Sequence, residues 1–209
     1  MTSQVLTELE TMDGYRIMIR GIRSQIELYR EENIPLLEQE QKLCSEYSKL
    51  RGAMTIVYEG ITLTLNQAAK YLESQERVVR AHIFDLMATR QTQDIDAINI
   101  VLDQLLEVRH QIAVNAGFEH YTAYIYPAKG RFDYGQQEVF AFHDGVEKVI
   151  TPLCKRFLEQ RKTVLHLDEL KPYDLAVDIY GRDALQAFTG EEEAIDRTTA
   201  CLDAMDTDF

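Results

Sequence analysis

No histidine in this sequence is followed by a glutamate. His82, His110, His120, His143 and His166 precede Ile83, Gln111, Tyr121, Asp144 and Leu167, so a His-Glu-x-x-His helix cannot be written anywhere in the chain. That pattern sets two imidazoles one helical turn apart and a glutamate beside the metal-bound water. The chain therefore supplies no helix with that combination of ligands and general base. Cysteine is almost as scarce. Cys44, Cys154 and Cys201 contain no Cys-x-x-Cys pair, which excludes a zinc ribbon or a thioredoxin-like couple and predicts reduced, mostly buried thiols of a cytosolic protein. There is also no Gly-rich phosphate loop and no Ser nucleophile elbow.

Long apolar runs are missing too. Nothing approaches the roughly 20 residues needed to cross a bilayer, and Met1 to Glu10 carries Glu8 and Glu10 without an apolar stretch, unlike a signal peptide. We expect a soluble, cytoplasmic protein with no membrane partner. The 209 residues hold only four prolines and ten glycines, and that scarcity of breakers favours helix. The chain is 45% hydrophobic and 27% charged, the composition of a globular protein with a core to bury. Its formal charge is −13, which repels nucleic-acid phosphates and excludes nucleic acid as a partner. Acid concentrates at Glu191, Glu192, Glu193, Asp196, Asp203, Asp206 and Asp208; a solvated helix face is the plain reading, an acidic docking surface the other.

Residues 1–51 read as an N-terminal helical hairpin. A long first helix, from about Thr2 to Glu32, carries Leu6, Leu9, Tyr15, Ile19, Ile22 and Ile26 at three- and four-residue spacing. Asn33 is placed to cap the second helix, with Pro35 in its first turn. The weakest joint in the chain follows at Gly52, and residues 52–209 form the second unit. Thr55-Ile56-Val57-Tyr58 and Ile61-Thr62-Leu63 flank Glu59-Gly60, which predicts a β-hairpin at about 55–63, packed on helices because an isolated hairpin is marginal in water. Thr64 to Gln67 is a capping box. A helix from Ser74-Gln75-Glu76-Arg77 should turn Val78, Val79, Ile83, Leu86 and Met87 inward. Thr92 to Ala116 should bury Ile95, Ile98, Leu102, Leu105, Leu106 and Ile112, with Gly117 as a left-handed cap. Phe118 to Tyr126 reads as a short helix. Asp133 should cap a helix to about Leu165, with a core stripe of Phe140, Val146, Val149, Ile150, Leu153, Phe157 and Val164 and a kink at Pro152. His166 to Phe188 is irregular. Thr189-Gly190-Glu191-Glu192 is a second capping box, opening a helix that reaches Met205. The fold class is all-α, a multi-helix, shell-like array with one small hairpin.

Candidate sites are few. The five histidines have no compact metal-ligand spacing, so metal ligation within this chain is not expected. Glu107, Arg109 and His110 share a helix, but adjacent helical residues point about 100° apart and do not converge unaided. Tyr121, Tyr124, Tyr126 and Tyr134 suit either a peptide-binding groove or a core with wet hydroxyls. No catalytic, cofactor-binding or metal residue is assigned.

An ordered series of short segments carries more information. Glu46-Tyr47-Ser48-Lys49-Leu50 leads to Tyr58-Glu59-Gly60 and Arg77-Val78-Val79-Arg80. Arg109-His110-Gln111-Ile112-Ala113 and Ala116-Gly117-Phe118 follow, with Tyr121 and Tyr124. Then come Gly130-Arg131-Phe132-Asp133-Tyr134, Thr151-Pro152-Leu153 and Lys171-Pro172-Tyr173-Asp174. In this order they resemble the oligoendopeptidase F family, thimet-oligopeptidase-like zinc metallopeptidases, from about Glu31 to Phe209. The resemblance implies a helical shell around a channel, cleavage of oligopeptide substrates, and zinc in the full-length enzyme on helices C-terminal to this region. None of those zinc motifs has a counterpart here. The chain is expected to be an internal segment, residues 52–209 resembling the N-terminal part of the catalytic domain, inactive alone and without a cofactor of its own. It would supply channel-wall helices; a free-standing helical interaction module without catalysis is the alternative. Helix faces stripped of family neighbours make a homodimer a further expectation.

Overall fold

The computed structural model describes residues 9, 11–182 and 187–205. Helix α1, Asp13–Leu28, ends where Tyr29 turns extended, and the start of the predicted opening helix lies outside the described residues. A 3₁₀ turn at Glu31–Asn33 leads into α2, Ile34–Gly52, with Pro35 in its first turn and Lys49 and Arg51 in its last. Those two cations face the negative end of the helix dipole. Asn33 marks the boundary as expected but makes no side-chain cap. It is buried, and its amide instead donates to the Ile112 carbonyl at 3.0 Å and accepts from Asn115 at 2.8 Å.

Strands β1, Thr55–Tyr58, and β2, Ile61–Thr64, pair antiparallel with Tyr58 opposite Ile61. Glu59 and Gly60 both have positive φ, 51° and 79°, the signature of a type I′ turn whose twist matches the strands. The capping box then forms as expected. Thr64 Oγ1 accepts from the Gln67 N–H at 3.2 Å, and the Gln67 side chain accepts from the Thr64 N–H at 2.9 Å. It opens α3, Leu65–Ala69, followed by a 3₁₀ turn at Lys70–Glu73, α4, Arg77–Gln93, and α5, Ile95–Asn115. The hairpin packs on α3 and α4 through Ile56, Ala68 and Ile83, with Tyr58, Leu63 and Leu86 around them.

The second apolar cluster joins α2 to α5: Leu43 with Val101, Leu105, Val108 and Ile112, flanked by Leu36, Leu50 and Tyr124. This changes the phase of the predicted stripe. Ile95, Leu102 and Leu106 are exposed, because the face toward α2 follows the 101–105–108–112 spacing. Val78 is likewise exposed, and Arg80 takes the inward position on α4. Gly117, at φ 88°, closes α5 as expected, with the Phe118 N–H donating to the Ala113 carbonyl at 2.9 Å. Helix α6, Tyr121–Ala128, follows, capped by His120 Nδ1, which accepts from the Ala123 N–H at 3.2 Å. Helix α1 rests on α6: the Ser24 hydroxyl donates to the Pro127 carbonyl at 3.1 Å.

Helix α7, Gln136–Gly145, starts two residues later than Asp133 would have it. Its cap is Glu138, whose carboxylate accepts from the Gly135 N–H at 2.8 Å, while Asp133 pairs with Arg20 at 3.1 Å. A π-helical turn, Val146–Ile150, precedes α8, Thr151–Val164. Pro152 therefore falls in the first turn of α8, where its missing N–H costs little, so the expected kink becomes a local rewinding. The core stripe assigned to this segment is not buried. Phe140, Val149, Ile150 and Phe157 are exposed, and no residue from 136 to 164 is buried. The residues after α8 are irregular as expected, with a 3₁₀ turn at Pro172–Asp174, yet Asp174 and Val177 are among the most buried side chains described. Helix α9, Glu191–Met205, has no buried residue. Its box closes one residue late: Glu193, not Glu192, accepts from the Thr189 N–H and hydroxyl at 2.8 and 2.7 Å. Cys154 on α8 and Cys201 on α9 are exposed and Cys44 half-buried, against the expectation of buried thiols, because α8 and α9 bury nothing. The expected class stands: mostly α-helix with one two-stranded sheet.

Candidate functional site

Two of the sequence segments singled out above meet in space. Arg77 and Arg80 lie one turn apart at the start of α4, and both reach Asp174 in the 3₁₀ turn after α8. Arg77 binds it through two atoms, Nε to Oδ1 at 3.1 Å and Nη2 to Oδ2 at 2.9 Å; Arg80 Nη2 donates to Oδ1 at 2.7 Å. The Lys171 N–H adds a bond to Oδ2 at 3.0 Å. Asp174 is wholly buried and Arg80 nearly so. Burial alone would push the Asp174 pKa up, but the hydrogen bonds from Arg77, Arg80 and the backbone outweigh it and bring the pKa down to about 2. From α8, Arg161 donates to the carbonyls of Asp174 and Val177 at 3.1 and 2.7 Å. Three helix-borne arginines thus hold the irregular 166–182 strap. The Arg80 Nε has no partner. This group orders a segment without α-helix or strand; it presents no open face to a substrate.

Glu107, Arg109 and His110 do not come together, in keeping with their positions on one helix: Glu107 and His110 are exposed and Arg109 turns to α2. Arg109 Nε donates to Glu40 on α2 at 2.7 Å, and the Arg109 guanidinium lies 5.6 Å from the Tyr121 ring centre. Hydrogen bonding to Glu40 raises the Arg109 pKa. Burial, then the nearby Glu40 carboxylate, raises those of Tyr121 and Tyr124. The four tyrosines split. Tyr121 and Tyr124 lie 5.8 Å apart beside Phe118, against the α2–α5 core. Tyr126 and Tyr134 meet edge to face at 5.9 Å on another surface.

That second pair borders the candidate site, a cleft of about 530 Å³ between the end of α6, the loop after it and one side of α7. Tyr126, Arg131, Tyr134, Glu138, Val139, Phe142 and His143 line it. Gly130, at φ 66°, reverses the chain after α6, and the Arg131 N–H donates to the Tyr126 carbonyl at 2.9 Å. The Arg131 guanidinium then sits 5.8 Å from the centre of the Tyr126 ring. Hydrogen bonding from the Gly135 N–H lowers the Glu138 pKa and holds its carboxylate ionised. The cleft offers aromatic walls, one cation and one anion, which suits binding; it holds no nucleophile activated by a base.

The histidines stay apart. His82 lies against Tyr58, His120 caps α6, His143 lies against Phe140 and Phe142, and His166 ends α8 with φ 54°. His110 is exposed on α5. Among the described residues no three His, Cys, Asp or Glu side chains come together as a metal would need. The sequence reading missed the Arg77–Arg80–Asp174 group, although its two halves stood among the segments carrying the resemblance. The signal was two arginines at i and i+3 on one helix face, which share a partner readily.

The model of a family described as Peptidase family M3 matches residues 70–195. No curated protein matches the chain. Among solved structures, PZ peptidase A with inhibitor 2 is similar at 30% identity and a TM-score of 0.80, over 84% of this chain and 31% of that one. A 3.1 Å structure named as an oligoendopeptidase F gives 27%, 0.80, 84% and 31%. An oligoendopeptidase F from Bacillus anthracis gives 23%, 0.78, 84% and 32%, which at that identity supports the fold alone. The chain spans about a third of the length of these structures.

Proposed function

The chain belongs to peptidase family M3, and from that premise we propose that it is part of a zinc metallopeptidase that cleaves oligopeptides in the cytoplasm. In this reading its helices form channel wall and the catalytic centre lies on residues outside these 209. The observation that carries it is the family match over residues 70–195 in a sequence where no histidine precedes a glutamate. The donor set present among the described residues does not fit a catalytic zinc, which takes about three protein ligands and keeps one position open. Membership fits the long helices with apolar residues left outward, such as Leu102 and Leu106 on α5 and Phe157 on α8, since a shell wall needs neighbours on both sides. The bare 136–164 segment equally suits a helical interaction module, the second reading.

An N-terminal tag at the native locus separates the two. The expected product is longer than 209 residues, carries His-Glu-x-x-His, and cleaves a quenched oligopeptide in a chelator-sensitive way. A tagged product matching the 24.2 kDa chain without cleavage would overturn the peptidase reading in favour of the module.

A further inference from the structure

The α6–α7 cleft has a polarity that selects among peptides. We propose that it is a peptide-binding subsite in which Arg131 takes a free C-terminal carboxylate and Tyr126, Tyr134 and Phe142 take an adjacent aromatic side chain. The proposal rests on the peptidase reading for its substrate class, and on the cleft for its chemistry. The volume, about 530 Å³, falls within the roughly 300–1,000 Å³ of small-ligand sites.

The charge pattern points to an anion. The chain carries 35 acidic against 22 basic residues, and its arginines commonly pair with carboxylates: Arg20 with Asp133, Arg77 and Arg80 with Asp174, Arg90 with Asp94, Arg109 with Glu40. Among the described residues no carboxylate lies within ion-pair distance of Arg131. Its contact is the Tyr126 ring, which engages the guanidinium through the ring face. Stacking of this kind leaves the guanidinium edge, where the N–H groups project, available for a two-point bond to a carboxylate. Arg131 is also held in place. Its N–H is bonded to the Tyr126 carbonyl and the Gly130 N–H to the Pro127 carbonyl at 3.0 Å, so the loop is closed on α6 before any ligand arrives.

The rest of the cleft sets orientation. Tyr126 and Tyr134 make an edge-to-face corner, and the exposed Phe142 ring stands near it on α7. An aromatic side chain adds a third ring to that corner. Glu138, held ionised by its cap bond, repels a second carboxylate. The preferred occupant is thus a peptide with one terminal carboxylate and an aromatic last residue.

The chain contains no tryptophan, so a tryptophan-bearing peptide reports binding through its own emission. We would titrate the intact chain into Gly-Gly-Trp with a free carboxylate and, separately, into its C-terminal amide. The acid should bind about tenfold more tightly, the worth of one charge-assisted pair. Arg131→Gln should erase that preference, Arg131→Lys should restore part of it, and Tyr134→Ala should weaken both peptides. Arg156→Gln, on α8 and outside the cleft, should change neither. Circular dichroism of each variant should match the parent. Equal binding of acid and amide, absence of binding, or a preference that survives Arg131→Gln would overturn the proposal. These outcomes are separable from failure of the peptidase reading. A chelator-sensitive product whose cleft ignores the carboxylate sinks the subsite alone, and a selective cleft in an inactive 24.2 kDa product sinks the peptidase alone.

Discussion

Replacing Asp174 with alanine removes the acceptor for four hydrogen bonds: two from Arg77, one from Arg80 and one from the Lys171 N–H. The two guanidiniums then behave differently. Arg77 is 40% exposed and can turn to water, whereas Arg80 is 3% exposed and cannot. A buried charge stripped of its partner costs about 3–5 kcal/mol, and we expect Asp174→Ala to lose that much in urea unfolding. Arg77→Gln should lose only about 1 kcal/mol. The pH dependence supplies an independent measure. A carboxyl moved from 3.8 to about 2 on folding contributes about 2 kcal/mol by linkage. Because the folded pKa is the depressed one, that contribution is complete above about pH 4 and disappears as pH falls to about 2. The parent should therefore lose more stability than Asp174→Ala across that window. If the variant costs under about 1 kcal/mol, or if both proteins lose stability in parallel between pH 4 and 2, the Asp174 group is not holding the strap as argued.

Gly117→Ala should destabilise by about 1–2 kcal/mol, since φ is 88° while a Cβ would meet nothing within 4 Å; a neutral change in melting midpoint would refute the left-handed cap. Thr64→Ala removes the acceptor of the Gln67 N–H and should cost about 1 kcal/mol, with Thr64→Ser recovering most of it in the same melt. Ile112→Ala, at a wholly buried site between α2 and α5, should cost about 2–5 kcal/mol in urea unfolding. Light scattering at micromolar concentration should give twice the 24.2 kDa chain mass, and Phe140→Asp with Phe157→Asp should return it to monomer; a parent that is already monomeric defeats this prediction.

Local rules were legible in the sequence wherever the partners lie within a few residues. The Glu59-Gly60 turn, the Thr64–Gln67 box and the Gly117 cap are each decided by short-range sterics and hydrogen bonding, and all three form. Legibility failed where a distant side chain chooses the face. On α5 the apolar residues surround much of the helix, with Leu102 and Leu106 outward and Val101, Leu105 and Val108 inward; their spacing cannot name the side on which α2 will lie. On α4, valine and arginine exchange the positions that hydrophobicity alone assigns, because Asp174, 94 residues away in sequence, lies opposite Arg80. The cleft residues were visible only in part. Tyr126 and Tyr134 stood out as tyrosines, but their separation from Tyr121 and Tyr124 depends on the Gly130 reversal and on α1 resting against α6.

The long-range polar contacts also explain how a helical array with a modest core keeps its geometry. Apolar packing between two helices is tolerant of sliding, since a shift by one turn offers a similar surface. A two-point arginine–carboxylate bond is not tolerant, because both oxygens and both N–H groups must align. Single directional bonds act in the same sense between α5 and α2: Arg109 Nε donates to Glu40 at 2.7 Å beside the apolar cluster those helices share, and Asn33, just before α2, bonds Asn115 and the Ile112 carbonyl at the C-terminal end of α5. Together these contacts resist sliding of α5 along α2 near the C-terminal end of α5. The 166–182 strap has no helix or sheet ladder beyond one 3₁₀ turn, so Arg77, Arg80 and Arg161 take over that role there. The 136–164 segment is the contrast: Arg161 is its polar tie to the strap, and its apolar residues meet no comparable cluster among the described residues. Its position is therefore set at its ends, by the Gly130 turn and by Arg161, which leaves the face between them open to a partner.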